Sequence, residues 1–138
     1  MKKILLLILL LSGCTQYGPK FIDCSDEKSA GIALDIALEN MQNIAEVVYR
    51  TDFICTEEQP MRNVECYIAR TGDKEFGNRG MIIVRDQYVG ECIIHELYHV
   101  ELGVKYGDSC SSHDISCDWS NNWLEPLLDE YKEQKYVR

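Results

Sequence analysis

Two histidines that stand four positions apart, His95 and His99, place the strongest constraint on how this chain folds. Residues i and i+4 lie on one face of an α-helix. The neighbouring positions predict such a helix over about 90–103, since Glu91 in its first turn suits the helix dipole and Gly103 is well placed to end it. Four apolar residues would anchor this helix in a core: Ile93, Ile94, Leu97 and Val100.

The segment from His95 to His99 also has the residue types of a metal site, because it matches the H-E-x-x-H pattern. Two imidazoles on one helical face can reach one Zn²⁺ ion at about 2.0–2.1 Å. Glu96 can then deprotonate a zinc-bound water, whose pKa the metal lowers to about 7. We therefore predict a Zn²⁺ cofactor, His95 and His99 as metal ligands, and Glu96 as the catalytic base. The alternative is a helix with two surface histidines, which is weakened because the chain has 3 histidines and two fall in this motif.

A third protein ligand completes most catalytic zinc sites, and the remaining histidine, His113, is the first candidate. It follows His99 in a polar loop that is long enough to turn back over the metal. A histidine exposed on that loop is the alternative. The other candidate ligands are Asp108, Asp114, Asp118 and, on a following helix, Glu125.

The N-terminus has the features of a targeting segment. Lys2 and Lys3 precede an uninterrupted apolar run over 4–11. This run is too short to span a bilayer, which needs roughly 20 residues, and it fits the apolar region of a secretory signal. We predict a signal peptide over 1–13, which would be removed from the mature protein.

The residues Leu11-Ser12-Gly13-Cys14 resemble the lipobox of bacterial lipoproteins. The resemblance implies that Cys14 carries a diacylglycerol and becomes the new N-terminus, so that the protein is exported and anchored to the membrane. Thr15 stands where an Asp would favour retention in the inner membrane. This implies the outer membrane, facing the periplasm, if the host is Gram-negative. The alternative is an ordinary signal peptide with a chance cysteine.

The chain is acidic, with a formal net charge of -9. The predicted signal peptide contains two of its lysines, so the mature chain would carry -11. We predict no nucleic-acid partner, because phosphate contacts need clustered Lys and Arg. A solvated acidic surface explains the charge equally well. The length of 138 residues suits one domain, which we place at 26–138, after a tether over 14–25.

Seven cysteines occur in the chain, and six remain if Cys14 is lipidated. An even number in an exported domain predicts three disulfides. Two pairings have a local reason: Cys55 with Cys66 across a predicted hairpin, and Cys110 with Cys117 around a short loop. Those choices leave Cys24 with Cys92. A zinc cluster of cysteines is the alternative, but the chain has no CxxC pair.

The order of the predicted elements indicates an α+β fold. The N-terminal part is a long amphipathic helix that ends near Arg50, and apolar residues that recur at helical spacing support it. Runs rich in β-formers follow, and a last amphipathic helix comes after the polar loop. The tryptophans at the start of that helix, Trp119 and Trp123, are assigned to core packing. The remaining predicted ranges are strands at 53–56, 64–69 and 80–85, a loop at 104–120, and the last helix at about 122–134.

The motif and its setting, over about 80–131, look like the zincin metallopeptidases. The resemblance implies a minimal zincin-like domain, stapled by disulfides, that cleaves envelope or extracellular peptides. His95 and His99 would be ligands and Glu96 the general base. It further implies that the strand at 80–85 is the edge strand that pairs with an extended peptide substrate.

The subfamily remains open at this stage. Metzincins continue the motif with a Gly and a His, where this chain has Leu102 and Lys105. Thermolysin-like gluzincins use a downstream Glu as the third zinc ligand, and Glu125 is similar to it. SprT-like proteases use a downstream His, and His113 is similar to that residue. The competing functional hypothesis is a lipoprotein without enzymatic activity that binds a protein partner, with zinc structural or absent. The sequence favours no oligomeric state.

Overall fold

The computed structural model describes residues 18–72, 75, 77–107 and 119–137. In that part of the chain, four α-helices, one short 3₁₀ helix at Asp86–Tyr88 and four strands form a mixed α+β fold, as the sequence predicts. The strands are β1 Lys20–Ile22, β2 Thr51–Thr56, β3 Cys66–Arg70 and β4 Gly80–Arg85. The helices are α1 Glu27–Asn40, α2 Ala45–Tyr49, α3 Val89–Tyr106 and α4 Asn121–Val137. Among these helices, none has both the length and the apolar character to cross a membrane.

The four strands form one sheet in the order β1-β2-β4-β3. β1, β2 and β4 run parallel, and β3 is antiparallel to β4. The resemblance implied that the strand at 80–85 is an edge strand, and this expectation is wrong. This strand is central because β2 pairs with one side of it and β3 with the other, and the edges of the described sheet are β1 and β3.

The long N-terminal helix is interrupted between Asn40 and Ala45, which corrects the single helix predicted to end near Arg50. Met41 adopts an extended conformation. A tertiary contact stabilises this break. The backbone N–H and the side-chain amide of Asn43 donate hydrogen bonds to the two carboxylate oxygens of Glu101 on α3, at 2.8 and 2.9 Å. A contact with α3 thus replaces the hydrogen bonds of a continuing helix.

The sheet begins within the predicted tether, because β1 pairs with β2 in parallel. The ring of Phe21 in β1 lies 5.7 Å from that of Phe53 in β2. β1 consists of only three residues, of which Lys20 and Ile22 are exposed and Phe21 is partly buried, so no alternation of polar and apolar residues marks it in the sequence. Its position depends on a partner strand about 30 residues later in the chain.

Two disulfides staple the described fold, and both differ from the pairs predicted for these cysteines. Cys24 bonds to Cys55, and Cys66 bonds to Cys92, with Cα–Cα distances of 4.9 and 5.7 Å. The predicted Cys55–Cys66 and Cys24–Cys92 pairs are wrong because β4 lies between the strands that carry Cys55 and Cys66. The predicted pair of Cys110 and Cys117 lies outside the described residues.

The core lies between one face of the sheet and the helices. Alternate residues of the central strands are buried there, including Phe53, Ile82 and Val84. Ile93 and Leu97 of α3 are both fully buried in the same cluster. Helix α4 packs on α3 with its Tyr131 ring directly against Gly90, where a Cβ atom would overlap the ring.

We predict that Gly90→Ala destabilises the protein by about 1–3 kcal/mol, because Tyr131 is fully buried and its ring has no room to move away. Gly103→Ala is the matched control on the same helix, since a Cβ there meets nothing within 4 Å. It should stabilise by up to about 1 kcal/mol through helix propensity. Urea denaturation of both variants measures the difference, and equal stabilities would contradict this account of the α3–α4 contact.

Candidate metal centre

Helix α3 carries the whole H-E-x-x-H motif, and the packing of its apolar residues sets the orientation of the motif. The helix extends beyond the predicted end at Gly103 to Tyr106. Gly107 ends it with a φ of 100°, a conformation that favours glycine, and donates its N–H to the carbonyl of Gly103. Ile94 and Leu97 face the core, so the two histidines lie at its margin, where each is partly exposed.

The imidazoles of His95 and His99 lie side by side, with ring centres 5.1 Å apart and planes inclined by 68°. In a tetrahedral site with Zn–N distances of about 2.0–2.1 Å, two imidazoles bound to one ion have ring centres about 5 Å apart. The spacing of the two side chains therefore fits a shared zinc ion without rearrangement of the helix.

Trp119 covers both imidazoles from the direction of α4. Its ring centre lies 4.6 Å from that of His99, at an interplanar angle of 31°, and 5.1 Å from that of His95. Its indole N–H donates to the side-chain oxygen of Asn121 at 2.8 Å, which holds the ring at the start of α4. Trp119 is buried, as its assignment to core packing predicts, whereas Trp123 is 39% exposed, so the same assignment is wrong for Trp123. The contact of Trp119 with the two histidines is not predictable from the sequence, because no local pattern relates this residue to α3.

A second aromatic contact joins the motif helix to the same segment. The Tyr98 ring lies 4.6 Å from that of Trp119 and 4.7 Å from that of Trp123. The backbone N–H of Ser120 donates to the Tyr98 hydroxyl at 3.0 Å. The chain that returns from the polar loop is therefore anchored directly beside the two histidines.

Glu96 is buried, with 6% of its surface exposed. Burial raises the pKa of its carboxyl to about 7, because water no longer solvates the charged form. A carboxyl with a pKa close to neutrality can both accept and return a proton at physiological pH. This is the behaviour that a general base needs.

A cavity of about 550 Å³ opens beside His95 and Glu96. One wall is α3, through Glu91 and Cys92 in the turn before the motif. The opposite wall is the chain that enters β3, up to Cys66. The Cys66–Cys92 disulfide joins these two walls. The cavity therefore lies between the motif and the edge strand β3.

The candidates for the third ligand divide into two groups. His113, Asp108, Asp114 and Asp118 lie outside the described residues. Glu125 is exposed on α4. Among the residues that the structure describes, no group of three potential ligand atoms within 4.8 Å of one another includes His95 or His99, so Glu125 does not complete a site with them.

Another potential ligand cluster in the described part of the chain consists of Cys24, Cys55 and Asp86. Its two cysteines form a disulfide, so they are not thiolates and have no charge to offer a cation. The Asp86 carboxylate accepts hydrogen bonds from the backbone N–H and the hydroxyl of Ser25. This cluster is structural.

The similarity of the chain to known proteins is low. No family model matches it, and no solved structure matches it. It is similar to the chloroplastic gamma-terpinene synthase of Citrus limon, with 28% identity over 100 residues that cover 72% of this chain. The chain spans 15% of the length of that synthase. A match of this extent shows no family.

We predict that Trp119→Ala weakens zinc binding by about tenfold, because loss of the ring lets the two imidazoles rotate. Trp119→Phe should retain most of the zinc affinity, because it keeps an aromatic ring at this position. Competition with a chromophoric chelator measures the affinity. Trp123→Ala is the matched control, since Trp123 contacts Tyr98 and is 39% exposed. If Trp119→Ala bound zinc as tightly as the unaltered chain, the positioning role would be wrong.

In the metal-free protein, the raised pKa of Glu96 predicts a specific pH dependence. The folded state holds this proton more tightly than the unfolded state, so the stability it contributes is complete at about pH 4 and is lost as pH rises through about 7. The loss should amount to about 3 kcal/mol. Urea denaturation in chelator at pH 4.5 and pH 8 should show this loss in the unaltered chain and not in Glu96→Gln. An equal pH dependence of the two proteins would contradict the burial argument.

Proposed function

We propose that this chain is a zinc-dependent hydrolase and, within that class, a peptidase. The observation that carries the proposal is the pair of imidazoles with ring centres 5.1 Å apart, together with the buried Glu96 carboxyl, which stands between them on the same helix and lines a cavity. The zincin-like identity of the domain is part of the proposal. It rests on this constellation and on the resemblance of the motif.

His95 and His99 would hold the metal, which when bound polarises the scissile carbonyl and lowers the pKa of water to about 7. Glu96 removes the proton from the attacking water and later passes it to the leaving amine. Its pKa of about 7 suits both steps. The apolar surroundings that bury Glu96 strengthen its electrostatic interaction with the reacting groups.

The third ligand would come from 108–118, with His113 as the first candidate. This segment connects the end of α3 to Trp119, whose ring lies against both histidines. The residue that directly follows this segment is therefore in contact with both histidines. Asp118 directly precedes Trp119, and it stays an alternative to His113 together with Asp108 and Asp114.

The substrate would be an extended peptide that adds to the free side of β3. Edge strands pair with extended peptides through backbone hydrogen bonds. β3 takes the role that the sequence analysis gave to β4, because β3 is at the edge of the sheet and the chain entering it lines the cavity. A peptide on this edge would run past His95 and Glu96.

The location would be the surface of a bacterial membrane, with the chain tethered through a lipid on Cys14. The two disulfides suit an exported protein. Because β1 begins at Lys20, five residues, 15–19, separate Cys14 from the sheet, and this stretch spans at most about 20 Å. The site would therefore face substrates close to the membrane, such as envelope peptides or peptide cross-links.

The test is zinc stoichiometry combined with hydrolysis of a quenched fluorescent peptide library. The unaltered chain should bind one zinc ion, and His95→Ala and His99→Ala should lose it. Glu96→Gln should keep the zinc and lose about 10²–10⁴-fold in activity. Glu133→Gln, which removes an exposed carboxyl of α4, is the charge-matched control and should behave as the unaltered chain.

Absence of stoichiometric zinc from the purified protein would refute the proposal. Full activity of Glu96→Gln would refute its role as the base. A protein partner that stays bound to His95→Ala and Glu96→Ala, with no hydrolysis by the unaltered chain, would favour the non-enzymatic lipoprotein instead.

A further inference from the structure

The cavity beside the motif has an acidic wall one helical turn before His95. Glu91 lies four residues before that histidine, so both side chains lie on one face of α3, and both line the cavity. No Lys or Arg lines the cavity among the described residues. An acidic subsite therefore adjoins the position where the proposed function places the cleaved bond.

We propose that this cavity binds an organic cation on an aliphatic stem, such as a lysine or arginine side chain of the substrate, with the Glu91 carboxylate as its counter-ion. The proposal rests on the proposed function for the position of the scissile bond. It adds the class of side chain that the site selects.

The Glu91 carboxylate forms no hydrogen bond and no ion pair within the described residues, although it interacts electrostatically with Lys135 and Tyr131. Its Oε2 atom is buried and accepts no hydrogen bond from the described residues. Removing a carboxylate oxygen from water without a donor is costly, and a charged donor offsets that cost more than a neutral one. Because Oε2 itself is buried, a ligand ammonium or guanidinium would stabilise the charge from the side of the other carboxylate oxygen.

The other charged groups near the cavity are accounted for. The Glu65 carboxylate accepts hydrogen bonds from the Arg85 guanidinium at 3.1 and 3.2 Å and from the Gln59 amide at 2.7 Å, so its charge is already compensated. Lys135 lies close enough for Glu91 to raise its pKa, but it does not line the cavity and forms no ion pair with Glu91 within the described residues. Glu91 is therefore the carboxylate available to a ligand.

The remaining walls suit the stem of such a side chain rather than a bare cation. Val64, the Tyr88 ring and the Cys66–Cys92 disulfide are apolar surfaces of the same cavity. The volume of about 550 Å³ is within the range of small-molecule sites. Methylene groups can pack on these walls while the charged end reaches Glu91.

The experiment measures peptide binding to the full-length Glu96→Gln chain, in which bound peptide is not cleaved. The probes are acetyl-Ala-Ala-Xaa-Ala-Ala-amide with Lys, Met or Glu at Xaa, and the Met peptide with a free N-terminus. NMR titration at one fixed zinc concentration gives each Kd. We expect the Lys peptide to bind at least about tenfold more tightly than the Met peptide, and the Glu peptide to bind most weakly.

Adding Glu91→Gln should reduce the ratio of Lys to Met affinity to about one, whereas adding Asp129→Asn, an exposed carboxylate of α4, should leave it unchanged. The free N-terminus, rather than Lys, could be the group that raises the peptide affinity. If Glu91→Gln removes this increase, the cation is the substrate's terminal ammonium, and the proposal is supported.

Three outcomes would overturn it: no peptide binding, equal affinity for Lys and Met with no gain from the free N-terminus, or a Lys preference that survives Glu91→Gln. The Lys-to-Met comparison in Glu96→Gln alone decides the matter if the Glu91 variant does not fold. A Lys preference in a chain that binds no zinc would refute the metallohydrolase and leave the cavity's ligand class standing.

Discussion

The packing of α3 on the inner face of the sheet is the interaction on which the other features of this protein depend. Ile93, Ile94 and Leu97 are completely buried in that contact, and the buried residues of β2 and β4 lie opposite them. Because these side chains occupy one side of the helix, His95 and His99 are left at the margin of the core. The Glu96 side chain lies towards the buried side of the helix, where water does not solvate its carboxyl. This loss of solvation raises the pKa of the carboxyl.

Two further contacts hold the surroundings of the motif from opposite sides. The Cys66–Cys92 disulfide ties the edge strand to α3 one turn before the histidines, so the cavity keeps its two walls. On the other side, Trp119 lies against both imidazoles and connects them to α4. In a small domain with a modest core, such links supply rigidity that additional packing layers would supply in a larger one. The site is thereby preorganised by residues outside the motif.

The features that the sequence predicted well are local. The helical position of His95, Glu96 and His99 followed from spacing and apolar neighbours, and the α+β class followed from the order of the elements. The predicted strands at 53–56 and 80–85 correspond to β2 and β4. The errors arose where a distant contact overrode a local pattern. The contact of Asn43 with Glu101 interrupts the N-terminal helix, and β1 forms through its pairing with β2.

Helix periodicity acts over four residues, so the chain encodes the motif and its face without reference to the rest of the fold. Strand order, disulfide pairing and the approach of Trp119 depend on which segments become neighbours in three dimensions. Placing β4 between β2 and β3 separated Cys55 from Cys66 and made β3 the edge strand beside the cavity. The candidate site was therefore predictable from five consecutive residues. The side chains around it and the exposed edge of the sheet were decided by tertiary packing, because nonlocal contacts leave no periodic signal in a single sequence.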